Sequence, residues 1–253
     1  MELSTLAERL DDELRTDDYA DVDASANGLQ VGGDWEIERV AVAVDAAVAT
    51  ISEAVDGDAD LLVAHHGLSW GGIERVTGRQ YDRIAPLVEN DVALYVSHLP
   101  LDGHQRLGNA AGVADLLELD QRQPFGKLGP EWVGQQGVAS DPYSVDELAA
   151  RLDGLDTGGA DVRVLPHGPG EIERVAVLTG SGADWLDEAV ADDADALVTG
   201  EGKGKLYHEA REAGINVFLA GHYATETFGV RALGDLLEEW GLDSFFVDRP
   251  TGL

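Results

Sequence analysis

The chain has no cysteine among its 253 residues, which excludes disulfides, thiolate catalysis, iron–sulfur clusters and thiolate zinc sites. Any metal must then be held by His, Asp and Glu, a donor set suited to hard or borderline ions such as Fe, Mn, Zn or Mg. Lysine is nearly absent: the 17 basic residues comprise Lys127, Lys203, Lys205 and fourteen arginines, against 49 acidic residues and a net charge of −32. Abundant Asp and Glu with scarce lysine fit a protein kept hydrated in molar salt, where the Debye length is only about 3 Å and self-repulsion is screened. A halophile's cytosol is the expected setting; the alternative is an acidic protein at ordinary salt. No Lys/Arg cluster interleaved with aromatics is present to overcome repulsion from phosphate backbones, so nucleic acid is not expected as a partner. Nor does any run approach the roughly eighteen apolar residues of a membrane span. The start, Met1-Glu-Leu-Ser-Thr, lacks the basic opening of a signal peptide, and a cytoplasmic location is expected.

What the chain does contain is a repeated sentence. Arg39-Val-Ala-Val, running to Ala59-Asp60-Leu-Leu-Val-Ala-His65-His66-Gly67, returns without a gap as Arg174-Val-Ala-Val, running to Ala194-Asp195-Ala-Leu-Val-Thr-Gly200-Glu201-Gly202. Each copy predicts an apolar strand, an amphipathic helix and a second apolar strand, which together make one parallel strand–helix–strand unit. The copies differ where the second strand ends, with two imidazoles in one and Gly200-Glu201 in the other. Ligands of open α/β sheets gather at the carboxyl ends of strands, so the duplication points at its own candidate site.

With 44% hydrophobic residues the chain can bury a sizeable core. The expected fold class is α/β: two similar lobes related by the duplication, each a largely parallel sheet flanked by helices. Leu3, Leu6, Leu10 and Leu14 predict an amphipathic helix over 3–15, with Ser4 near its N-cap. The turn-rich Asn27-Gly-Leu-Gln-Val-Gly-Gly33 could form a hairpin turn or deliver Asn27 and Gln30 to a pocket. A helix over 79–90 and a strand over 92–98 complete the first lobe. The chain punctuates around Gln123-Pro-Phe-Gly126 and restarts with a strand near 132–139, a helix over 144–153 and a strand near 161–165. Beyond the second copy come a helix near 205–213, a strand over 215–220, a helix over 225–240 and a strand over 244–247. The expected domains are 1–125 plus 226–253, and 126–225.

His65 and His66 directly follow the buried run Leu61-Leu-Val-Ala. Adjacent strand residues point to opposite faces, yet a strand end that turns can converge them. His98 and Asp102 follow the neighbouring strand, and His222 and Glu226 follow the corresponding strand of the second lobe, four residues apart as a chelating helical pair is. Two adjacent histidines, an Asp, a His and a Glu are donors enough for two metals, with Asp102 and Glu226 able to bridge ions roughly 3.5–4 Å apart. Such a site generates a nucleophilic hydroxide near neutral pH. His98 is a candidate proton shuttle, or else support for the ligands. Gly200-Glu-Gly-Lys-Gly-Lys205 makes a phosphate contact conceivable but lacks P-loop spacing, and His208 could support the ligands or sit on a helix surface.

In order along nearly the whole chain, Asn27-Gly-Leu-Gln-Val-Gly, Asp60-Leu-Leu-Val-Ala-His65-His66, Ser97-His98 with Leu101-Asp102, Thr199-Gly200-Glu201 and Gly221-His222-Tyr-Ala-Thr-Glu226 resemble the motifs of the NIF3 family. These are dinuclear-metal proteins also known as GTP cyclohydrolase 1 type 2 homologues. The resemblance implies His65, His66, Asp102, His222 and Glu226 as ligands of two divalent ions per chain; His with carboxylate suits Fe, Zn, Mn or Co alike. It implies two similar α/β lobes, without the inserted middle domain of longer members, and a homohexameric ring with the metals facing its interior. Departures from the family pattern, Gly67 after the paired histidines and Leu99-Pro100 between His98 and Asp102, touch pocket lining more than ligands.

Two functions follow. One is a metal-dependent hydrolase acting on a nucleotide or related heterocycle, with His98 as acid/base; the other is a non-enzymatic metal carrier, buffer or regulator. Turnover that vanishes in His98→Ala while metal persists marks the first; reversible metal transfer without turnover marks the second.

Overall fold

The computed structural model describes residues 1–253. Its elements begin with α1 (Leu3–Leu14), β1 (Gly28–Val31), β2 (Arg39–Asp45), α2 (Val48–Asp56), β3 (Leu61–His66), α3 (Arg79–Glu89), β4 (Ala93–Val96) and the single turn α4 (Leu99–Asp102). They continue as α5 (Asn109–Leu116), β5 (Leu119–Leu128), β6 (Glu131–Ser144), α6 (Val145–Leu152), β7 (Arg163–Pro166), β8 (Glu171–Val177) and α7 (Leu186–Ala191). The last are β9 (Ala196–Thr199), α8 (Leu206–Ala213), β10 (Asn216–Leu219), α9 (His222–Glu239) and β11 (Asp243–Phe246). The chain divides into two compact units, Met1–Leu101 with Gly229–Arg249, and Asp102–Phe228 with Pro250–Leu253.

The first unit holds a five-stranded sheet in the order β1-β4-β3-β2-β11. All its pairs are parallel except β1 with β4, an antiparallel edge. Strands buried on both faces need continuous apolar runs, and β4 is buried throughout while β2 is buried from Val40 to Val44. One face packs Ala41, Ala43, Leu62 and Leu94 against Ile51 and Ala54 of α2 and Leu87 of α3. The four leucines of α1 are buried as their spacing predicts, each contributing roughly 1.5–3 kcal/mol through burial. The N-cap differs from expectation: the helix begins at Leu3, so Ser4 lies inside the first turn and Glu2 occupies the cap without a side-chain hydrogen bond.

The second unit holds six strands in the order β5-β6-β8-β9-β10-β7. Its centre, β8-β9-β10, is parallel; antiparallel strands extend it on both sides, through β6 and β5 on one and β7 on the other. Ser144 opens α6 with a capping box, its hydroxyl accepting from the Glu147 N–H while the Glu147 carboxylate accepts from the Ser144 N–H. This double satisfaction of helix-end donors fixes where the strand becomes a helix.

The unit boundaries depart from the expected 125/126 break. That break falls inside β5, which pairs along β6, and α5 packs Ala110, Val113, Ala114 and Leu117 into the core of the second unit. The hydrophobic face of α5 therefore takes the chain from Asp102 onward with it. At the other end, Gly229–Arg249 belongs to the first unit and Pro250–Leu253 to the second.

The duplication persists at the level of single hydrogen bonds. Asp60 Oδ2 accepts from the Glu38 and Arg39 N–H groups at 2.8 and 2.9 Å; Asp195 Oδ2 accepts from Glu173 and Arg174, both at 2.9 Å. In each copy the turn before this aspartate takes a left-handed residue, Asp58 at φ 54° and Asp193 at φ 57°. The same short aspartate thus ties the start of the second strand to the start of the first in each unit.

Candidate metal centre

In the first unit three histidines converge at the carboxyl end of the sheet. His65 is fully buried and His66 is the final residue of β3. Although neighbours on a strand diverge, here the strand stops, and the two ring centroids lie 4.6 Å apart. His98, beyond the end of β4, places its ring 5.1 Å from His65 and 5.7 Å from His66. One ring nitrogen from each of the three lies within 4.8 Å of the others.

Each ring is anchored through Nδ1 to an acceptor. His65 Nδ1 lies 2.9 Å from the Ser97 carbonyl oxygen, His66 Nδ1 2.9 Å from Asp45 Oδ1, and His98 Nδ1 2.9 Å from Asp23 Oδ1. An Nδ1–H donated to an oxygen leaves the neutral ring's lone pair on Nε2, the tautomer that ligates a metal, and such acceptors orient metal-ligating imidazoles. The Asp45 contact follows from strand register, because Asp45 pairs with His66 across β2 and β3. Gly67 follows in a tight space: a Cβ there would stand 2.5 Å from the Gln30 amide nitrogen and 2.7 Å from Val96, so those side chains would have to shift.

Asp23 is one of the residues that sequence reasoning missed. Its side chain is 1% exposed and accepts from His98, from the Leu99 N–H at 3.0 Å, from Asn27 Nδ2 at 2.8 Å and from the Ser25 N–H at 2.9 Å. Burial alone would raise its carboxyl pKa, but the hydrogen bond and charge of His98, with the donors from Asn27 and Ser25, outweigh burial and hold it at about 2. Asn27 also accepts the His98 N–H on Oδ1 at 2.8 Å, and Gln30 accepts the Leu68 N–H at 2.9 Å. Of the two roles open to the Asn27–Gly33 segment, the side chains do serve the site, from the start of an edge strand.

The second unit has its own group of oxygen donors and one imidazole. Its helix α9 begins at His222, so His222 and Glu226 share a face as their spacing predicts, with Nε2 and Oε1 3.1 Å apart. His222 Nδ1 lies 3.4 Å from Glu201 Oε1. Burial pushes the His222 pKa down, but the hydrogen bonds and charges of Glu226 and Glu201 prevail and raise it to about 9. Asp102 is buried, with Oδ1 accepting from Asn109 Nδ2 at 2.8 Å and Thr179 Oγ1 at 3.3 Å. A carboxylate oxygen of Asp102 and one of Glu226 lie within 4.8 Å.

Two glycines make room for these groups. A Cβ on Gly180, at φ +59°, would stand 2.2 Å from Glu226 Oε1. One on Gly200 would stand 2.6 Å from the Gly180 carbonyl oxygen and 2.7 Å from His222 Cα. Gly200 is the residue that replaces His65 in the second copy of the repeat, and its missing side chain lets α9 start against β9.

Other sequence candidates lie elsewhere. His208 is exposed on α8, the helix-surface alternative. Lys203 and Lys205 both pair with Asp184, and Lys205 also pairs with Glu209 at 3.5 Å, so the glycine-rich segment's cations are already neutralised. Asn109, Thr179 and Asp23 carried no sequence signal, because a polar residue among 49 acidic ones looks like a solvated surface until the fold buries it. No helix is long and apolar enough to cross a membrane.

The donor set fits a divalent metal. In the first unit His65 and His66 have Nδ1 anchored to oxygen acceptors, and in the second Asp102 and Glu226 are buried carboxylates; none is a thiolate, as hard or borderline ions prefer.

The chain is similar to known proteins along its whole length. A "GTP cyclohydrolase 1 type 2 homolog" of Halobacterium salinarum is 61% identical over 255 residues, covering 100% of both chains. A protein of the same description from Deinococcus radiodurans is 42% identical, covering 91% of this chain and 88% of its own. The crystal structure of TTHA1606 from Thermus thermophilus superposes with a TM-score of 0.90 at 38% identity, covering 100% of both chains. The family model Duf34/NIF3 (NGG1p interacting factor 3) matches residues 1–251, and the chain belongs to that family.

Proposed function

We propose that this protein is a metal-dependent hydrolase acting on a nucleotide or related heterocycle, with His65, His66, Asp102, His222 and Glu226 holding two divalent ions. The observation that carries it is the Asp23–His98 pair: an imidazole outside that ligand set, set beside two anchored histidines and oriented by a buried carboxylate. Bound divalent metal would supply Lewis acidity and lower the pKa of water toward neutrality. His98 then serves as general base and acid, because an imidazole with Nδ1–H donated to Asp23 presents Nε2 to accept and return a proton. Asp102 and Glu226, both buried, supply anionic oxygens suited to bridging. The relatives' description supports a purine nucleotide such as GTP as the first substrate to try. Assembly into a ring-shaped homohexamer is part of the same proposal.

Elemental analysis of protein purified at high salt, followed by incubation of the metal-loaded form with GTP, tests this reading. About two ions per chain, with turnover abolished in His98→Ala at unchanged metal content, is the expected result. Two ions with no turnover of any nucleotide moves the assignment to a metal carrier or regulator. Light scattering reports the assembly.

A further inference from the structure

We infer that Trp70 is a stacking platform for a planar heteroaromatic ring, placed beside the histidines as a substrate-positioning residue. The inference rests on the hydrolase reading for its purpose, but on separate geometry for its place. Trp70 is 52% exposed, although a large aromatic side chain ordinarily gains most by being buried. Its ring lies edge-to-face with His98 at 4.8 Å and 6.0 Å from His66.

An exposed indole on a mobile loop would carry little meaning, but this one is held on both sides. The Ala26 N–H donates to the Ser69 carbonyl oxygen at 3.4 Å and the Gly71 N–H donates to the Ala24 carbonyl oxygen at 2.8 Å, forming an isolated antiparallel bridge between Ser25 and Trp70. Gln30 and Gln80 fix the backbone of Leu68 just before it, both at 2.9 Å, and the Gly72 N–H donates to Ser69 Oγ at 2.9 Å just after it. Most telling is the segment that does the holding. Residues 23–27 grip His98 through the side chains of Asp23 and Asn27 and grip the backbone around Trp70 through Ala24, Ser25 and Ala26. One short segment therefore sets the spacing between the proposed proton shuttle and the indole. A preorganised aromatic surface binds a ring without the entropy of ordering it, and stacking tolerates any base because every base has a π-face.

The test measures binding of guanosine, adenosine and uridine, which carry the ring without phosphate, and of ribose 5-phosphate, which carries phosphate without the ring. Calorimetry compares the full-length protein with Trp70→Ala and Trp70→Phe. We expect nucleoside affinity to fall by about tenfold or more in Trp70→Ala and to be largely kept in Trp70→Phe, with ribose 5-phosphate affinity equal in all three. Should Trp70→Ala fail to fold, the Trp70 indole N–H resonance of the unaltered protein, assigned through Trp70→Phe, must shift on adding guanosine. Unchanged nucleoside affinity in Trp70→Ala overturns the inference, as does an unaltered protein that binds none of the three nucleosides. A change in sedimentation without a change in affinity also overturns it, reassigning Trp70 to a contact between copies. Binding needs no turnover: nucleosides held through Trp70 with no hydrolysis would sink the hydrolase and leave the platform, and hydrolysis with KM unmoved by Trp70→Ala would do the reverse.

Discussion

Asp23 and His98 form a carboxylate–imidazole pair, Oδ1 to Nδ1 at 2.9 Å, in which the buried carboxylate also accepts the backbone N–H of Leu99. The pair does two things at once. It fixes which ring nitrogen of His98 carries the proton, and it pins the chain where β4 gives way to α4.

Acid should therefore weaken the fold through Asp23. Its folded-state pKa is held near 2, below the ordinary value of about 3.9, so the unfolded chain binds its proton first as pH falls. The stabilisation, on the order of 2 kcal/mol, is fully present above pH ~4 and is lost as pH falls toward ~2. Urea unfolding of the protein and of Asp23→Asn between these limits should show two curves that converge at low pH. Curves separated by a constant amount would refute the linkage.

The twin aspartates of the repeat offer a paired test. Asp60→Asn and Asp195→Asn each weaken two backbone N–H hydrogen bonds to a carboxylate oxygen, and each should cost about 1–3 kcal/mol. The two losses should be alike within about 0.5 kcal/mol, and metal content should stay unchanged. Thermal unfolding with elemental analysis of the same samples checks both statements.

Gly180→Ala should separate folding from ligand geometry. The added methyl would meet Glu226 Oε1 at a backbone angle that L-residues adopt only with strain, so a loss of about 1–3 kcal/mol is expected. Because the clash is with a proposed ligand, metal per chain should fall as well. A destabilised protein that keeps its full metal content would show that Glu226 is not needed to hold it.

The acidic excess predicts a salt requirement. With 49 acidic and 17 basic residues, stability should rise from about 0.1 M to about 2 M KCl as self-repulsion is screened. A melting temperature that stays flat across this range would favour an acidic protein adapted to ordinary salt.

The legible part of this molecule was the part written in periodicity and repetition. The copies starting at Arg39 and Arg174 gave both parallel strand pairs, and the His222/Glu226 spacing was right because α9 begins at His222. Unit boundaries were not legible at Phe125, because membership of α5 in the second unit is decided by which sheet buries Ala110 and Leu117. Asp23 was hidden for a different reason: it lies 75 positions from His98, and nothing local to it differs from the acidic residues around it. Asn27 was halfway between, visible as a turn residue able to reach a pocket but silent about its partner, the backbone N–H of His98.

In each unit the aspartate of the repeat sits at the amino ends of the strands, while the histidines and carboxylates stand at the carboxyl ends. Fastener and tool are thus a whole strand apart. The tip residues are free to diverge, imidazoles in one copy and glycine with glutamate in the other, without disturbing what registers the frame. A duplicated scaffold of this kind can carry unlike donor chemistry at its two sets of strand tips while the contacts that register each frame stay the same.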